Sequence, residues 1–471
     1  MLDPTRSEHV VSGPLLVPPT EEEVDAASFR DVLANAPFRS LWIAQICSQL
    51  AQNLTWITLG AFVANQTHKS TLVSVIIVSA MMAQLFLSGF AGVLVDRVSK
   101  RAVLFSSNVI RIVLTMLFLA ATPIDVAAQT TVIIVLIFIA NAVSQFFMPA
   151  EAATIPLLVE KRNLIAATSL FNITFNACQV IPVTLGLLIF DLVGIVPVLI
   201  MVGGLYLVAA VLVSTLPAQT TLSRPMHGAD SLREAADHVI GDVREALRFL
   251  SHEPGVRLTI FQINVAPTFL FIFGTLGLTF VQQTFGLASD RAWILLLPAG
   301  VGLVGGALLM GRFSARARKE DLINIGLLIM GAGIAVLGGV AVLTSVVNGA
   351  SQRVTGFITS HIHHMGAYNI GLIPPAMVIS LLIGVAMAMS TIPAQTLVFE
   401  RTPSDVRGRI LAMQQLIGGA APIIPLLTIA PLADVFGTSS VMTGLGVAIV
   451  LVGTLSVYLD HHLHRGRPRL L

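Results

Sequence analysis

The sequence predicts an all-α membrane protein of twelve transmembrane helices in two pseudo-symmetric six-helix bundles. Three observations predict it: too little charge for a soluble exterior, apolar blocks of spanning length, and an internal repeat. Of 471 residues, 55% are hydrophobic and 11% charged, against roughly 25% charged in ordinary soluble domains, and mean hydropathy is +0.86. A soluble chain of this length would divide into several domains, each needing a charged surface. Lipid must instead solvate most of the apolar side chains. Net charge is +2, which argues against nucleic acid as a partner, because phosphate binding wants a concentrated basic field. Cys47 and Cys178 fall inside apolar segments and read as packing residues, with no redox or metal framework.

Residues 1–37 form a polar tail without a cleavable signal. Segments able to cross a hydrocarbon layer of about 30 Å as helices follow at about 41–63, 72–95, 102–122, 131–150, 164–190, 195–216, 257–281, 292–311, 322–345, 372–398, 408–430 and 438–459. The first six make an N-terminal bundle over 38–216, the last six a C-terminal bundle over 257–460, and 461–471 a basic tail. Residues 217–256 link the bundles. There Ser231 with Glu234 reads as a capping box, and Leu232, Ala236, Val239, Val243, Leu247 and Leu250 recur at helical spacing opposite a charged face, as in an amphipathic helix lying under the membrane. Of the 27 Lys and Arg, 23 fall on one side, three (Lys69, Arg291, Arg353) on the other and one, Arg111, within a span. The positive-inside rule then places both termini in the cytoplasm of a multi-pass cell-membrane protein.

The halves repeat one another. Pro149-Ala150 recurs as Pro393-Ala394, and Asp191-Leu192-Val193-Gly194 as Asp434-Val435-Phe436-Gly437. The basic loop from Gly92 to Arg101 aligns with Gly311 to Arg316. Two six-helix repeats meeting across a central site is a transporter architecture.

On these residues the chain resembles the major facilitator superfamily from about Phe38 to Leu459. Gly92, Asp96, Arg97, Lys100 and Arg101 match the family signature between helices two and three, Gly-x-x-x-Asp-Arg-x-Gly-Arg/Lys-Arg/Lys, with Ser99 in place of its second Gly. Phe38 to Trp42, Pro149 to Ala167 and Pro403 to Leu411 are most similar to the macrolide and siderophore (enterobactin-type) exporters of that superfamily. The resemblance implies alternating access, with spans one, four, seven and ten lining the pathway. It also implies a cytoplasmic gate in which Asp96 and Arg97 latch against the start of span eleven, where Thr402, Pro403, Ser404 and Asp405 read as a capped helix end. Ala315 stands at the equivalent acid position of the second half, so this latch is one-sided. Two departures stand out: Ala51-Gln52 where such exporters often carry Gly-Asp, and Ile181 where the antiporter signature of helix five has Gly.

Glu151 is the one acid left inside a span, and Arg111 the one base. Helical rise puts both about 14–15 Å from the inner surface on adjacent spans. An unpaired charge at that depth costs several kcal/mol, so the two are candidate partners. Either Glu151 exchanges a proton, meeting Arg111 and water by turns and so coupling transport to the proton gradient, or the pair is a fixed bridge that never titrates.

Span one carries Gln45, Ser48, Gln49, Gln52, Asn53 and Trp56 along one face. Span four adds Asn141 and Gln145, span five Asn172, Asn176 and Gln179, and the second half Gln262, Asn264 and Gln395. Uncharged amides beside Phe and Met suit a cavity for a large amphipathic solute; the alternative is hydrogen bonding between helices. The histidines at 361–364 and 461–464 lack the accompanying acid or Cys geometry of a metal site. No cofactor, catalytic nucleophile or nucleotide loop is legible, which argues against an enzyme and against ATP-driven transport. The expectation is a monomeric secondary active exporter, coupled to protons, that carries a drug-, macrolide- or siderophore-like small molecule across the bilayer. Facilitated lipid or metabolite movement and a non-transporting assembly factor on the same fold are the alternatives.

Overall fold

The computed structural model describes residues 29–123, 125–217, 248, 250–251, 253–313, 317–355, 373–402, 410, 413–414 and 416–465. After a short helix at Phe29–Ala34, the described residues form α1 (Ala36–Thr67), α2 (Ser70–Arg97), α3 (Lys100–Ala121), α4 (Val126–Leu158), α5 (Leu164–Val193) and α6 (Ile195–Ser214) in the first half. The second half contains α7 (Pro254–Phe285), α8 (Trp293–Phe313), α9 (Lys319–Thr355), α10 (Ile373–Arg401), α11 (Ile423–Phe436) and α12 (Thr438–Arg465). Every expected span holds a helix. Among the described residues, ten helices are long and apolar enough to cross a membrane. In α1 the amide-rich face lowers hydropathy, as where a helix faces protein rather than lipid.

The eleventh span departs from expectation. Helical residues 416–420 give way to a turn at Ala421-Pro422 before α11 resumes at Ile423 and runs past the expected end to Phe436. Pro422 has no amide hydrogen to continue the ladder. At the other extreme, Asn35 starts α1 cleanly. Its side chain accepts from Phe38 N at 3.3 Å and donates to Leu158 O at 2.7 Å, binding the start of α1 to the end of α4.

The halves pack alike: α2 on α4, α3 on α4 and α6, and α1 on α6 recur as α8 on α10, α9 on α10 and α12, and α7 on α12. Across the halves, α2 meets α11 and α5 meets α8, again as a symmetric pair. The reversals from α5 to α6 and from α11 to α12 use Gly194 and Gly437 at φ 81° and 85°, a conformation that side chains resist. Those two glycines close the Asp-x-x-Gly repeat. In the second half α8 and α10 approach so closely that a Cβ on Gly384 would lie 1.9 Å from Ala299 O, the close backbone contact that small residues permit in membrane bundles.

The linker run from Leu232 to Leu247, the segment 403–409 and the histidines at 361–364 lie outside the described residues. Leu250, the last of the linker run, is buried with Val256, Ile260 and Val398.

Candidate functional site

The interior of the first half is built around Arg111. This α3 residue is 2% exposed. Its Nη2 donates to Ser144 Oγ on α4 at 2.9 Å, and its guanidinium carbon lies 4.8 Å from the Phe147 ring centre and 5.6 Å from that of Tyr206 on α6. Two aromatic faces and one hydroxyl therefore hold the cation. Ser144 in turn lies 3.1 Å from Gln52 Oε1 on α1 and 2.9 Å from Ala140 O. Glu151, two turns beyond Ser144 on the same helix, is 5% exposed.

The direct Arg111–Glu151 pairing expected from depth is corrected here. Neither residue belongs to an ion pair among the described residues. With the guanidinium fixed by Ser144 and the two rings, Arg111 Nε and Nη1 and Glu151 Oε1 have no hydrogen-bond partner among the described residues. The two charges still interact electrostatically. Buried unsatisfied polar atoms are costly, and each calls for an explanation.

The polar face of α1 turns inward, but its members divide. Gln45, Ser48, Gln49 and Asn53 are buried. Gln45 reaches Phe171 O on α5 at 3.5 Å, Ser48 donates to Asn108 Oδ1 on α3 at 2.9 Å, and Asn53 bonds Cys178 O and Gln179 Oε1 on α5, both at 2.9 Å. For Gln45, Ser48 and Asn53 the structure places interhelical hydrogen bonds where the sequence also allowed a cavity wall. Gln52 and Trp56 are only half-buried, as are Asn141 and Gln145 on α4, which bond the backbone of their own helix. Asn172 is exposed on α5, and the side chain of Asn176 lies outside the described residues.

In the second half the corresponding interior is neutral. Gln262 of α7 donates to Asn324 Oδ1 of α9 at 3.1 Å and to Ser456 Oγ of α12 at 2.5 Å, and Ser456 donates to Asn324 at 2.8 Å. Asn264 bonds its own helix at Ile260 O, and Gln395 accepts from Gln414 at 3.0 Å. Asn108, Ser144, Asn324 and Ser456 are interior hydrogen-bonding residues that sequence reasoning missed, since isolated Ser and Asn in apolar runs give no pattern.

Hydrogen bonds that join described residues of the two halves cluster at the end opposite the termini. Asp434, in the last turn of α11, accepts from Ser70 N at 2.6 Å, Thr71 N at 3.0 Å and Thr71 Oγ1 at 2.5 Å, at the start of α2. Asp191, in the last turn of α5, accepts from Arg291 Nε at 3.3 Å and Trp293 Nε1 at 3.2 Å, at the start of α8. An acid is unfavourable at the C-terminal end of its own helix and favourable at the N-terminal end of another. Both aspartates follow that rule across the bundle interface. Asn65 and Gln282 add a third contact, with Gln282 Nε2 3.1 Å from Asn65 Oδ1.

At the terminal end, Gly92, Asp96 and Arg97 occupy the last turns of α2, with Lys100 opening α3. Ser99, which replaces the signature glycine, accepts from Ala102 N at 3.4 Å as the cap of α3, a position where Ser and Gly are both accepted. Arg101 donates to Ser214 O at the end of α6. Across α9 and α10, Lys319 pairs with Glu400 and Glu320 with Arg401.

Two six-helix halves in one repeated packing, joined at one end by reciprocal polar contacts, define a polytopic carrier of the transporter class. The comparisons with known proteins agree: the Major Facilitator Superfamily model matches residues 41–425, and the chain belongs to that family. It is 24% identical over 322 residues to the uncharacterised MFS-type transporter YkuC of Bacillus subtilis, covering 65% of this chain and 72% of that one. With YfiS, a second such protein of that organism, it shares 24% over 407 residues, or 86% and 88% of the two chains. Among solved structures it is similar to the nucleoside transporter NupG, with TM-score 0.65, 12% identity, and 90% and 99% of the chains covered. The D-xylose-proton symporter matches with TM-score 0.61 at 15% identity, over 89% and 96%. At these identities the structures speak for the fold.

Proposed function

We propose that this chain is a secondary active exporter that moves an amphipathic small molecule by alternating access and couples that movement to protons. It works as a monomer in the cell membrane with both termini cytoplasmic, so the end joined by Asp191 and Asp434 is the outer one. That reciprocal pair of contacts is the observation that carries the reading. Each aspartate crosses from one bundle to the other through a few solvent-releasable hydrogen bonds, as a carrier needs if its two states are to be close in free energy. The half-buried Gln52, Trp56, Asn141 and Gln145 line the substrate path, and uncharged amides beside aromatic surface suit a macrolide- or siderophore-like solute. Glu151 is the proton site, with Arg111 as the charge that its ionised form faces. The signature residues Gly92, Asp96, Arg97, Lys100 and Arg101 form the cytoplasmic gate.

One observation favours a second reading. Gln52 puts a neutral amide where exporters of this type often carry an acid, which suits facilitated movement of a lipid or metabolite. Flux in proteoliposomes of dyes, macrolides and siderophores, with and without an imposed pH gradient, separates the two. Accumulation of a solute only with the gradient supports export. Equal rates with and without the gradient leave facilitated movement.

A further inference from the structure

We infer that Ser144 is the positioning residue that carries the state of the Arg111–Glu151 site to Gln52 on α1; this rests on the proton-coupled reading above. The Ser144 oxygen accepts from Arg111 Nη2 at 2.9 Å, and its single hydroxyl hydrogen has two acceptors, Gln52 Oε1 at 3.1 Å and Ala140 O at 2.9 Å. A hydroxyl can give its one proton to one of these at full strength. With Arg111 bound to the oxygen, polarisation strengthens the donation that follows.

The charged and titratable groups that face one another here, among the described residues, are Glu151 of α4, Arg111 of α3 and Tyr206 of α6. From α1 the site receives the neutral Gln52. When Glu151 is protonated, Arg111 stays with Ser144, as in this structure. When Glu151 is ionised, its unpartnered Oε1 and the unpartnered Nε and Nη1 of Arg111 draw the guanidinium toward the carboxylate. Ser144 then loses its donor and turns its hydrogen to Ala140. The amide of Gln52 is released into the half-buried face of α1, where solute binds. Proton occupancy thus changes a hydrogen-bonding group on the substrate side without moving a helix.

Infrared difference spectra of the purified full-length protein between low and high pH test this without a substrate. The carboxyl band that disappears in Glu151→Gln reports Glu151, and the side-chain amide band that disappears in Gln52→Leu reports Gln52. The relay predicts that both titrate together in the parent, that Ser144→Ala leaves the carboxyl titration but freezes the Gln52 band, and that Ser144→Thr, which keeps the hydroxyl, restores it. In flux assays Ser144→Ala lowers gradient-driven accumulation at least about tenfold, and Ser144→Thr restores it. A Gln52 band that titrates equally in Ser144→Ala, or that never follows Glu151, overturns the relay. A carboxyl band that never titrates instead overturns the proton-coupled reading on which the relay rests.

Discussion

In the first half, α1, α3, α4 and α6 meet around a cation that leaves two donors unpartnered, beside a carboxyl with an unpartnered oxygen. In the second, α7, α9 and α12 meet around Gln262, Asn324 and Ser456, a neutral triangle in which each member is bonded to the others. The helix packing is the same in both. What differs is whether the interior has a single satisfied arrangement. The neutral triangle has one. The charged interior has alternatives, because its polar groups outnumber the bonds they make, and bistability of that kind is what a coupling site requires.

Substitutions can break this contrast. Gly384→Leu should have the largest effect: with a carbonyl 1.9 Å from the new Cβ, α8 and α10 must part, and folded yield in detergent should collapse. Arg111→Met comes next, since it leaves Glu151 without its counter-charge. Removing the buried cation also takes the donor from Ser144, and losing a hydrogen bond to a charged group costs about 1.5–3 kcal/mol, which thermal unfolding in detergent will register. Asn324→Ala removes one corner of the neutral triangle and should cost about 1–3 kcal/mol while leaving the pH dependence of transport unchanged. A changed pH profile in that variant would mean that coupling is not confined to the first half. Smallest in stability is Asp434→Ala, which should speed hydrogen exchange at the Ser70 and Thr71 amides by about tenfold with little change in unfolding temperature. Asp191→Ala should do less, because its partner Arg291 is half-exposed and exposed pairs contribute about 1 kcal/mol or less.

Much of this was legible in the sequence. Apolar length placed a helix at each of the twelve expected positions, since lipid imposes a minimum that few residues can evade. Glu151 and Arg111 stood out as the charges inside spans, whereas the turn at Ala421-Pro422 did not, because proline also sits within unbroken helices of this chain such as α4 and α5. The Asp-x-x-Gly repeat was visible too, but its purpose was not: the glycine turns its own chain, whereas the aspartate acts on a helix in the other bundle, a relation that only packing reveals. Arg111 and Glu151 do interact electrostatically. Matched depth did not foresee that Ser144, Phe147 and Tyr206 hold the guanidinium, at the level of a residue two turns from Glu151 on the same face of α4. Ser144 and Asn108 carried no signal, as a single hydroxyl or amide in an apolar run is equally at home bonding its own helix.

The account's central claim is that coupling resides in the charged interior of the first half. Gradient-driven accumulation of a transported solute by Glu151→Gln in proteoliposomes, beside its binding of the same solute, tests it most directly. The account predicts that accumulation is lost and binding is kept; full accumulation by that variant would contradict it.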